Sequence, residues 1–303
     1  MKSVSIESAL QHSPERPAIV LDDVEIGYEQ LHREAIALAE QWINRPTGSL
    51  IGISGDGPVD VVSSLAAAQM AGHIPVLLPT DHAHNGKKFD TTPAIRWFDR
   101  PPSSAELDRN SVVLHTSGTS GPPKAIVHDW ASLSGAVHKE APYRHRRWLL
   151  AYHPRSFAGL QVILQSVLTQ GTLVVAYKHP ADVARQMISH DVEFASGTPT
   201  FWRALLSGAD EFSSNKTLRH ITIGGEIIDQ PLLDQLASHF PSARISQIYA
   251  STEQGVCFSV HDKLAGFPAS WLHSNAGPCP MKLAESGELL LQSPLRMRGY
   301  LER

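Results

Sequence analysis

Short apolar runs alternate with segments that carry apolar residues at helical spacing, and this alternation constrains the fold more than any other feature. Leu50–Ile53 is typical of a buried strand, and Pro58 suits the first position of a helix that extends to about Ala71. Gly72 is suited to end that helix, and Ile74–Leu78 is the next strand candidate. Strand, helix and strand in this order predict a right-handed βαβ unit and therefore a parallel sheet.

The same alternation returns in the second half of the chain, between strand candidates at Trp148–Tyr152 and Arg244–Tyr249. The final segment instead carries turns and one clear strand, Gly287–Gln292. We predict an α/β fold with two alternating α/β subdomains, whose largely parallel sheets pack in layers, and a partial C-terminal subdomain that resembles a β-barrel. The expected boundaries are about 1–110, 111–250 and 251–303.

Three local expectations bear on the middle of the chain. Asp129 is suited to cap a helix that extends to about Val137, and Leu160–Leu168 is a second helix candidate. The polar, proline-containing segment 80–110 predicts a connection with one short strand near Ile95–Phe98.

Charge and hydropathy exclude some functions. The chain has 26 basic and 30 acidic residues and a formal net charge of −4, which disfavours a nucleic-acid partner because such binders show a basic footprint. Met1–Gln11 has no apolar signal core, and no stretch approaches the roughly 20 apolar residues of a membrane helix. We therefore expect a soluble cytoplasmic protein without a membrane span.

The most unusual segment is Val112–His128, in which a polar glycine loop lies between two apolar strands. Thr116–Gly121 consists only of Thr, Ser and Gly, and Lys124 follows shortly after. Glycines let the backbone approach an anion, successive N–H groups and hydroxyls can surround phosphate oxygens, and the lysine adds a positive charge. The segment predicts a phosphate site; a flexible surface linker is the alternative.

Two familiar motifs do not match this loop. Ala125 follows Lys124 where a Walker loop needs Ser or Thr. Gly118–Gly121 lacks the second spacer of a nucleophile elbow, so a hydrolase serine is not supported.

Thr116–Lys124 resembles the phosphate loop of the adenylate-forming superfamily, which comprises acyl- and aryl-CoA synthetases, adenylation domains of nonribosomal peptide synthetases, and luciferases. Ala125 stands where those loops usually carry Gly. Further stretches resemble the family in the same order along the chain: Glu15–Val20, Tyr28–Leu31, Ile51–Pro79, Gly197–Phe201, Gly224–Glu226, Tyr249–Glu253, Gly287–Leu289 and Met297–Tyr300.

The resemblance implies a reaction in which a carboxylate attacks the α-phosphate of ATP, giving an acyl-adenylate and pyrophosphate. The acyl group would then pass to a thiol of CoA or of the phosphopantetheine on an acyl carrier protein. Because two anions react, the site must neutralise charge and align them. A small carboxylic acid, ATP and Mg²⁺ are the implied ligands.

The resemblance also implies residue roles. Lys124, Thr252 and Glu253 would be catalytic, with Thr252 on the α-phosphate and Glu253 on Mg²⁺, which prefers carboxylate oxygen. Tyr249 would stack on adenine; for Tyr249–Glu253 the alternative is an exposed strand end, and for Glu226 it is a helix-capping carboxylate. The nucleotide-binding set is Thr116, Ser117, Gly118, Thr119, Ser120, Gly121, Lys124, Gly224, Gly225, Glu226, Tyr249, Ala250, Ser251 and Thr252.

The acid pocket departs from the family pattern. Ser156 stands where the family often has His or an aromatic residue, and Ala158 stands where amino-acid activators have Asp. An ammonium group buried without a partner would be costly, so an α-amino acid is disfavoured. An aryl acid such as a hydroxybenzoate is favoured, and a short acyl acid is the alternative. The candidate pocket wall, which core packing would also explain, is Ser156, Phe157, Ala158, Ile223, Gly225 and Ile248.

Family members continue past the equivalent of Tyr300 into a small C-terminal domain with a further lysine. We therefore expect a large N-terminal adenylation domain that is weakly active alone, either shortened or naturally reduced. A non-catalytic nucleotide- or acyl-adenylate-binding module is the alternative function, and a kinase or hydrolase that uses the same loop is a third. The basic run Arg144–Arg147 is either a solvated loop or a docking patch for an acidic carrier protein.

Overall fold

The computed structural model describes residues 5–12, 15–79, 95–97 (backbone only), 107–116, 123–176, 180–208, 217–272 and 277–301. Residues 117–121 of the predicted phosphate loop lie outside these ranges, as does most of the predicted connection 80–110. The short strand expected within that connection is present at Ile95–Trp97.

The described helices lie between strands for most of the chain. They are α1 (Ile6–Gln11), α2 (Tyr28–Trp42), α3 (Pro58–Ala71), α4 (Trp130–Ser134), α5 (Phe157–Leu168), α6 (Pro180–Ser189), α7 (Pro199–Ser207) and α8 (Gln230–His239), with short 3₁₀ turns at Ala141–Tyr143 and Ala269–Leu272.

The strands are short, as expected of a layered α/β protein. They are β1 (Pro17–Leu21), β2 (Val24–Gly27), β3 (Leu50–Ile53), β4 (Ile74–Leu77), β5 (Ile95–Trp97), β6 (Ser111–His115), β7 (Ala125–Asp129), β8 (Arg147–Leu150), β9 (Thr172–Val175), β10 (Phe194–Gly197), β11 (His220–Gly224), β12 (Arg244–Ser251), β13 (Gly255–Val260), β14 (Met281–Leu283), β15 (Leu289–Leu291) and β16 (Gly299–Tyr300).

These strands form two large sheets and one small one. The eight-stranded sheet has the order β13-β12-β11-β10-β8-β9-β1-β2, the six-stranded sheet has the order β16-β7-β6-β4-β3-β5, and β14 pairs with β15. Pairing is parallel from β12 through β1 and from β3 through β6, and antiparallel at the edges. The predicted mixed α/β class with largely parallel, layered sheets is confirmed.

The predicted βαβ unit is present, since Leu50 pairs in parallel with Ile74 across β3 and β4. Gly72 ends α3 with φ of 68°, a left-handed conformation that suits glycine. Strands β2 and β13, which were not predicted, complete the eight-stranded sheet as its antiparallel edges.

Two predicted helix boundaries were wrong. Helix α4 ends at Ser134 rather than Val137, and Gly135 follows in close contact with Leu295, where a side chain would not fit. Helix α5 begins at Phe157 rather than Leu160, because the Ser156 hydroxyl accepts a hydrogen bond of 3.0 Å from the Gly159 amide and caps the helix.

Sheet membership does not follow the order of the chain. β1 and β2 come early in the sequence but extend the sheet that holds β8 to β13, while β6, β7 and β16 belong to the other large sheet. The boundaries expected near residues 110 and 250 therefore do not coincide with the limits of the sheets. Among the described helices, none has the length and apolar character needed to cross a bilayer.

Strand β11 shows how the core positions the site. Its burial alternates, so that Ile221 and Ile223 are fully buried in a core with Trp202, whereas His220 and Thr222 lie on the opposite face and line a cavity. The carboxyl ends of the parallel strands open into the same cavity, as is usual for ligand sites in α/β sheets.

Candidate active site

A cavity of about 1750 Å³ takes its walls from both large sheets and from helix α5. The β6–β7 hairpin contributes Thr116 and Lys124, and the turn after β12 contributes Thr252 and Glu253. Segments that are far apart in sequence, and that were predicted to bind the two ends of a triphosphate, thus meet at one site.

The predicted phosphate loop closes the antiparallel β6–β7 hairpin. The Thr116 amide donates to the Lys124 carbonyl (3.1 Å), and the Lys124 amide donates to the Thr116 hydroxyl (3.0 Å). The Lys124 ammonium lies 5.3 Å from the centre of the Tyr300 ring, a cation–π contact that holds the charge beside the cavity. Ser117, Gly118, Thr119, Ser120 and Gly121 lie outside the described residues.

The Thr252–Glu253 turn is held by its backbone. The Nε2 of His128 lies 2.7 Å from the Thr252 carbonyl oxygen, and the Met297 amide donates to the Glu253 carbonyl over 2.7 Å. The Ser251 hydroxyl accepts from the Gln254 amide (3.0 Å) and tightens the same turn. Because the backbone is fixed on both sides, the two side chains enter the cavity from a defined position.

His128 is a residue that sequence reasoning missed, because it contacts a turn 124 residues further along the chain. Burial lowers the pKa of its imidazole, although the hydrogen bond to Thr252 opposes that shift. The ring is therefore neutral near pH 7, with the proton on Nε2, which must donate to a carbonyl, while Nδ1 accepts from the Ser132 hydroxyl at 3.0 Å.

Glu226 lines the cavity and also caps helix α7. Its carboxylate accepts from the Thr200 amide (3.0 Å) and the Thr200 hydroxyl (2.6 Å) in the first turn of that helix. Burial alone would raise the pKa of Glu226, but these hydrogen bonds lower it below its usual value. The helix-capping interpretation thus matches the observed contacts.

Gly224 and Gly225 lie at the end of β11, and each position favours glycine for a different reason. A Cβ on Gly224 would lie 2.8 Å from the Ile248 carbonyl oxygen, so β11 and β12 could not keep their approach. Gly225 has φ of +85°, which favours glycine, and it leads the chain towards Glu226. Both glycines line the cavity.

Only some residues of the predicted nucleotide-binding segment Tyr249–Glu253 line the cavity. Ala250 and Ser251 line it, whereas Tyr249 does not. The Tyr249 ring is 43% exposed and stacks on Phe258, with ring centres 5.1 Å apart and planes 7° from parallel. Stacking of Tyr249 on adenine therefore stays a prediction.

The predicted acid pocket is mostly assembled. Ser156, Phe157 and Ala158 form the cap and first turn of α5 and line the cavity, as do Gly225 and Ile248. Ile223 does not: it is fully buried in the core on the other face of the sheet, because successive strand residues point to opposite faces.

Arg155 is a second residue that sequence reasoning missed. It is 8% exposed, lines the cavity, and donates to the carbonyl oxygens of Leu78 (2.6 Å) and Pro79 (3.0 Å). Its other nitrogen pairs with Asp56, which His153 also contacts at 3.1 Å. Burial would raise the pKa of Asp56, but the pairing with Arg155 lowers it. Arg155 thus connects the loops of the two large sheets beside the site.

The oxygen ligands at the turn suit Mg²⁺ bound together with a substrate phosphate. Glu253 offers a carboxylate and Thr252 a hydroxyl, and Mg²⁺ is commonly held by one or two carboxylates plus phosphate oxygens. Among the described residues, no group of three His, Cys, Asp or Glu side chains could hold a metal alone.

Comparison with known proteins gives consistent results. A family model described as AMP-binding enzyme matches residues 82–301. A dimodular nonribosomal peptide synthase of Bacillus subtilis is 25% identical over 350 aligned positions, which cover 96% of this chain but 14% of that protein. A D-alanine–D-alanyl carrier protein ligase of Bacillus anthracis is 24% identical over 355 positions, covering 98% of this chain and 70% of the ligase.

Among solved structures, O-succinylbenzoate coenzyme A synthetase from Bacillus subtilis, in complex with ATP and magnesium ion, shares the fold. The TM-score is 0.73 at 20% identity, with 98% of this chain and 72% of that chain covered. The chain thus corresponds to a part of each of these proteins.

Proposed function

Because this chain belongs to the AMP-binding enzyme family, we propose that it activates a carboxylic acid with ATP and Mg²⁺, forming an acyl-adenylate and releasing pyrophosphate. The observation that carries this proposal is the meeting of Lys124 with the Thr252–Glu253 turn at a single cavity. A site that joins two anions needs positive charge and hydrogen-bond donors along the phosphate chain. Lys124 supplies a cation at one end, and at the other end Thr252 supplies a hydroxyl and Glu253 a carboxylate that would hold Mg²⁺.

Each group has a role that its position supports. Lys124 and Thr116 would bind the β- and γ-phosphates together with the loop 117–121, and Thr252 would donate to the α-phosphate. Glu253 would hold Mg²⁺, which supplies charge neutralisation at the phosphates. Gly224 and Gly225 would accept the flat face of adenine because neither carries a side chain. Glu226, already bonded to Thr200, would fix the edge of that surface.

The walls favour an acid without an α-ammonium group. The first turn of α5 presents Ser156, Phe157 and Ala158, and the acidic side chains that line the cavity among the described residues are Glu226 and Glu253. Glu226 is already bonded to Thr200, and Glu253 lies at the phosphate end. An aryl acid such as a hydroxybenzoate suits the Phe157 wall best, and a short acyl acid is the second choice.

The acceptor would be a thiol of CoA or of phosphopantetheine on an acyl carrier protein. The names of the relatives include both a coenzyme A synthetase and a carrier protein ligase. The basic run offers weak support for carrier docking, since Arg146 is already paired with Glu193 at 2.9 Å. The assignment of the chain as a large N-terminal adenylation domain, the absence of a nucleic-acid partner and a cytoplasmic location stay predictions.

Acid-dependent exchange of pyrophosphate into ATP tests the proposal, with aryl and short acyl acids as substrates. Glu253→Gln and Lys124→Met should each reduce exchange by at least about a hundredfold, as removal of a transition-state charge contact does. The matched controls Glu288→Gln and Lys282→Met change the same residue types on the exposed β14–β15 hairpin and should leave exchange unchanged.

The outcomes separate the candidate functions. ATP binding without acid-dependent exchange would favour the non-catalytic nucleotide- or acyl-adenylate-binding module. Release of phosphate rather than pyrophosphate would favour a kinase or hydrolase. Calorimetric titration with α,β-methylene ATP and Mg²⁺ is needed beside the exchange assay, because a weakly active chain would still bind nucleotide.

A further inference from the structure

The cavity extends well beyond the residues assigned to the nucleotide and the reacting carboxylate. His220 and Gly224 lie on the same face of β11 and both line it. Because a strand rises about 3.3 Å per residue, they are roughly 13 Å apart, at opposite ends of the strand. Helix α5 gives the same length, since Phe157 and Gln165 both line the cavity and eight helical residues rise about 12 Å.

The far end of the cavity carries polar side chains from several elements. We call them the distal cluster: His138, His220, Arg244, Ser246 and His261, all of which line the cavity. The Ser246 hydroxyl oxygen lies 2.6 Å from Nε2 of His220 and 2.8 Å from Nδ1 of His261. Three elements, β11, β12 and the segment after β13, are thus connected at one point.

The hydrogen bonds within the cluster leave donor capacity for a ligand. Ser246 has one hydroxyl proton, so it can donate to only one of the two imidazoles. If it donates to one ring, that neutral ring carries its own N–H on its remote nitrogen. If both rings donate to Ser246, the hydroxyl proton itself is available. Each arrangement leaves one N–H or O–H that this trio does not use.

Arg244 makes the local potential positive. Within the described ranges it has no carboxylate partner, so its guanidinium donors are available to a ligand. Burial and then the charge of Arg244 lower the pKa of His220 to about 4, and the same two causes lower the pKa of His261. Both imidazoles therefore lie in a positive field and are neutral near pH 7.

Two acidic groups lie near the cluster. The Glu140 carboxylate is 3.7 Å from Nδ1 of His138, and both side chains are exposed. Asp262 raises the pKa of His261, but burial and the charge of Arg244 have larger effects, so the pKa of that histidine is lowered overall. Glu140 and Asp262 therefore reduce the positive potential near His138 and His261. The potential at His220 and His261 stays positive.

Between the two polar ends, the walls are more apolar than polar. Val137, Val162 and Ile248 give this part of the cavity apolar surface, and Thr222 of β11 and Gln161 of α5 add polar groups. A ligand that follows the cavity would therefore have a polar group at each end and an apolar body between them. A hydroxybenzoate alone is too short to reach from the Thr252 turn to Arg244.

We propose that the distal cluster binds a second carboxylate of the substrate acid, so that the substrate is a dicarboxylic acid with an apolar body. This inference rests on the proposed function, and it replaces the hydroxybenzoate favoured there with a longer acid that carries two carboxylates. One carboxylate would lie near Thr252, where it meets the α-phosphate. The other would accept hydrogen bonds from Arg244 and from the donor that Ser246, His220 and His261 leave unused.

Binding of matched acids tests the proposal. Calorimetry on the chain, saturated with α,β-methylene ATP and Mg²⁺, would compare α,ω-dicarboxylic acids from suberic to dodecanedioic acid with the monocarboxylic acid of the same chain length. Because a hydrogen bond to a charged group contributes more than a neutral one, at least one dicarboxylic acid should bind about tenfold more tightly than its partner. Equal or tighter binding of every monocarboxylic acid would overturn the proposal.

Arg244→Gln identifies the residue responsible. This variant should reduce the preference for the dicarboxylic acid to within about twofold and leave the affinity for α,β-methylene ATP unchanged. Arg185→Gln, an exposed arginine of α6 that does not line the cavity, is the matched control and should keep the preference. Thermal unfolding would verify that both variants fold. A preference that survives Arg244→Gln would reject the distal cluster as its source.

Failure of the proposed function gives a different result. In that case the nucleotide analogue binds without any acid of either series binding beside it, or the analogue does not bind at all. The first result rejects this inference, and acid activation is rejected with it only if the exchange assay with aryl and short acyl acids also fails. The second result rejects nucleotide binding and therefore both proposals. Binding of monocarboxylic acids with no gain from the second carboxylate rejects only the inference.

Discussion

The Nε2 nitrogen of His128 lies 2.7 Å from the carbonyl oxygen of Thr252, and this contact joins strand β7 of the six-stranded sheet to the turn that follows β12 of the eight-stranded sheet. His128 is fully buried. The position of the Thr252–Glu253 turn therefore depends on a residue of the other sheet, which lies four residues after Lys124 on the same β6–β7 hairpin.

His128→Ala removes the donor and leaves the Thr252 carbonyl without its partner. We expect the free energy of unfolding to fall by about 1–3 kcal/mol, and the affinity for α,β-methylene ATP with Mg²⁺ to fall about tenfold. His128→Gln, whose amide can donate to the same oxygen, should recover part of the affinity. Urea unfolding and calorimetry measure the two effects. A stability loss without any change in affinity would assign His128 to the core alone.

Arg155→Met tests the connection between the two sheets. The substitution keeps an apolar stem but removes the donor to the carbonyls of Leu78 and Pro79 and leaves Asp56 with His153 alone. We expect urea unfolding to show a loss of about 2–3 kcal/mol.

Asp56→Asn is the matched change on the other side of this pair. The Asp56 side chain is 76% exposed, so the loss should be below about 1 kcal/mol. Equal losses for the two variants would show that the ion pair, rather than the contacts of Arg155 with the two carbonyls, holds the loops together.

Gly224→Ala tests the close approach of β11 and β12. The new Cβ would lie 2.8 Å from the Ile248 carbonyl oxygen, and a strand backbone can yield only by moving. We expect a loss of about 1–3 kcal/mol in unfolding free energy and weaker nucleotide binding. Gly208→Ala is the control, because its Cβ would meet the Leu205 carbonyl at 3.8 Å and its φ is −95°. Unaltered nucleotide affinity in Gly224→Ala would remove Gly224 from the binding surface.

Features that depend on local pattern were predictable from the sequence. The βαβ unit of β3, α3 and β4 is specified by an apolar run, a proline at the helix start and Gly72 at its end. The β6–β7 hairpin is specified in the same way, by two apolar strands around a Thr, Ser and Gly loop.

Features that depend on long-range contact were not predictable. His128 and Thr252 are 124 residues apart in sequence, and Arg155 and Asp56 are 99 apart, so no spacing rule connects them. Ile223 shows a second limit. The motif located strand β11, but a strand places alternate residues on opposite faces. Which face Ile223 occupies depends on the core against which it packs, and the motif does not contain that information.

His220 predicts how stability depends on pH. Its pKa is about 4 in the folded chain, against 6.5 for a free imidazole, because of burial first, then the charge of Arg244, and then repulsion from the neighbouring imidazoles of His261 and His138. Between these values the unfolded chain binds a proton that the folded chain does not. The contribution of His220 to the free energy of unfolding is therefore present in full above pH 6.5 and is lost as the pH falls towards 4.

The contribution of His220 can be isolated by comparison with a variant. As the pH falls from about 7.5 to about 5, the protonation of His220 should remove about 2 kcal/mol from the free energy of unfolding. The lowered pKa values of His115, His128 and His261 also reduce stability as the pH falls. The measured quantity is therefore the difference in unfolding free energy between the wild-type chain and His220→Asn, obtained by urea unfolding at both pH values. The variant curve should be flatter, whereas His239→Asn, which changes an exposed histidine at the end of α8, should run parallel to wild type. Parallel curves for His220→Asn would show that the folded chain protonates this ring over the same pH range as the unfolded chain, so that burial and Arg244 do not oppose its protonation.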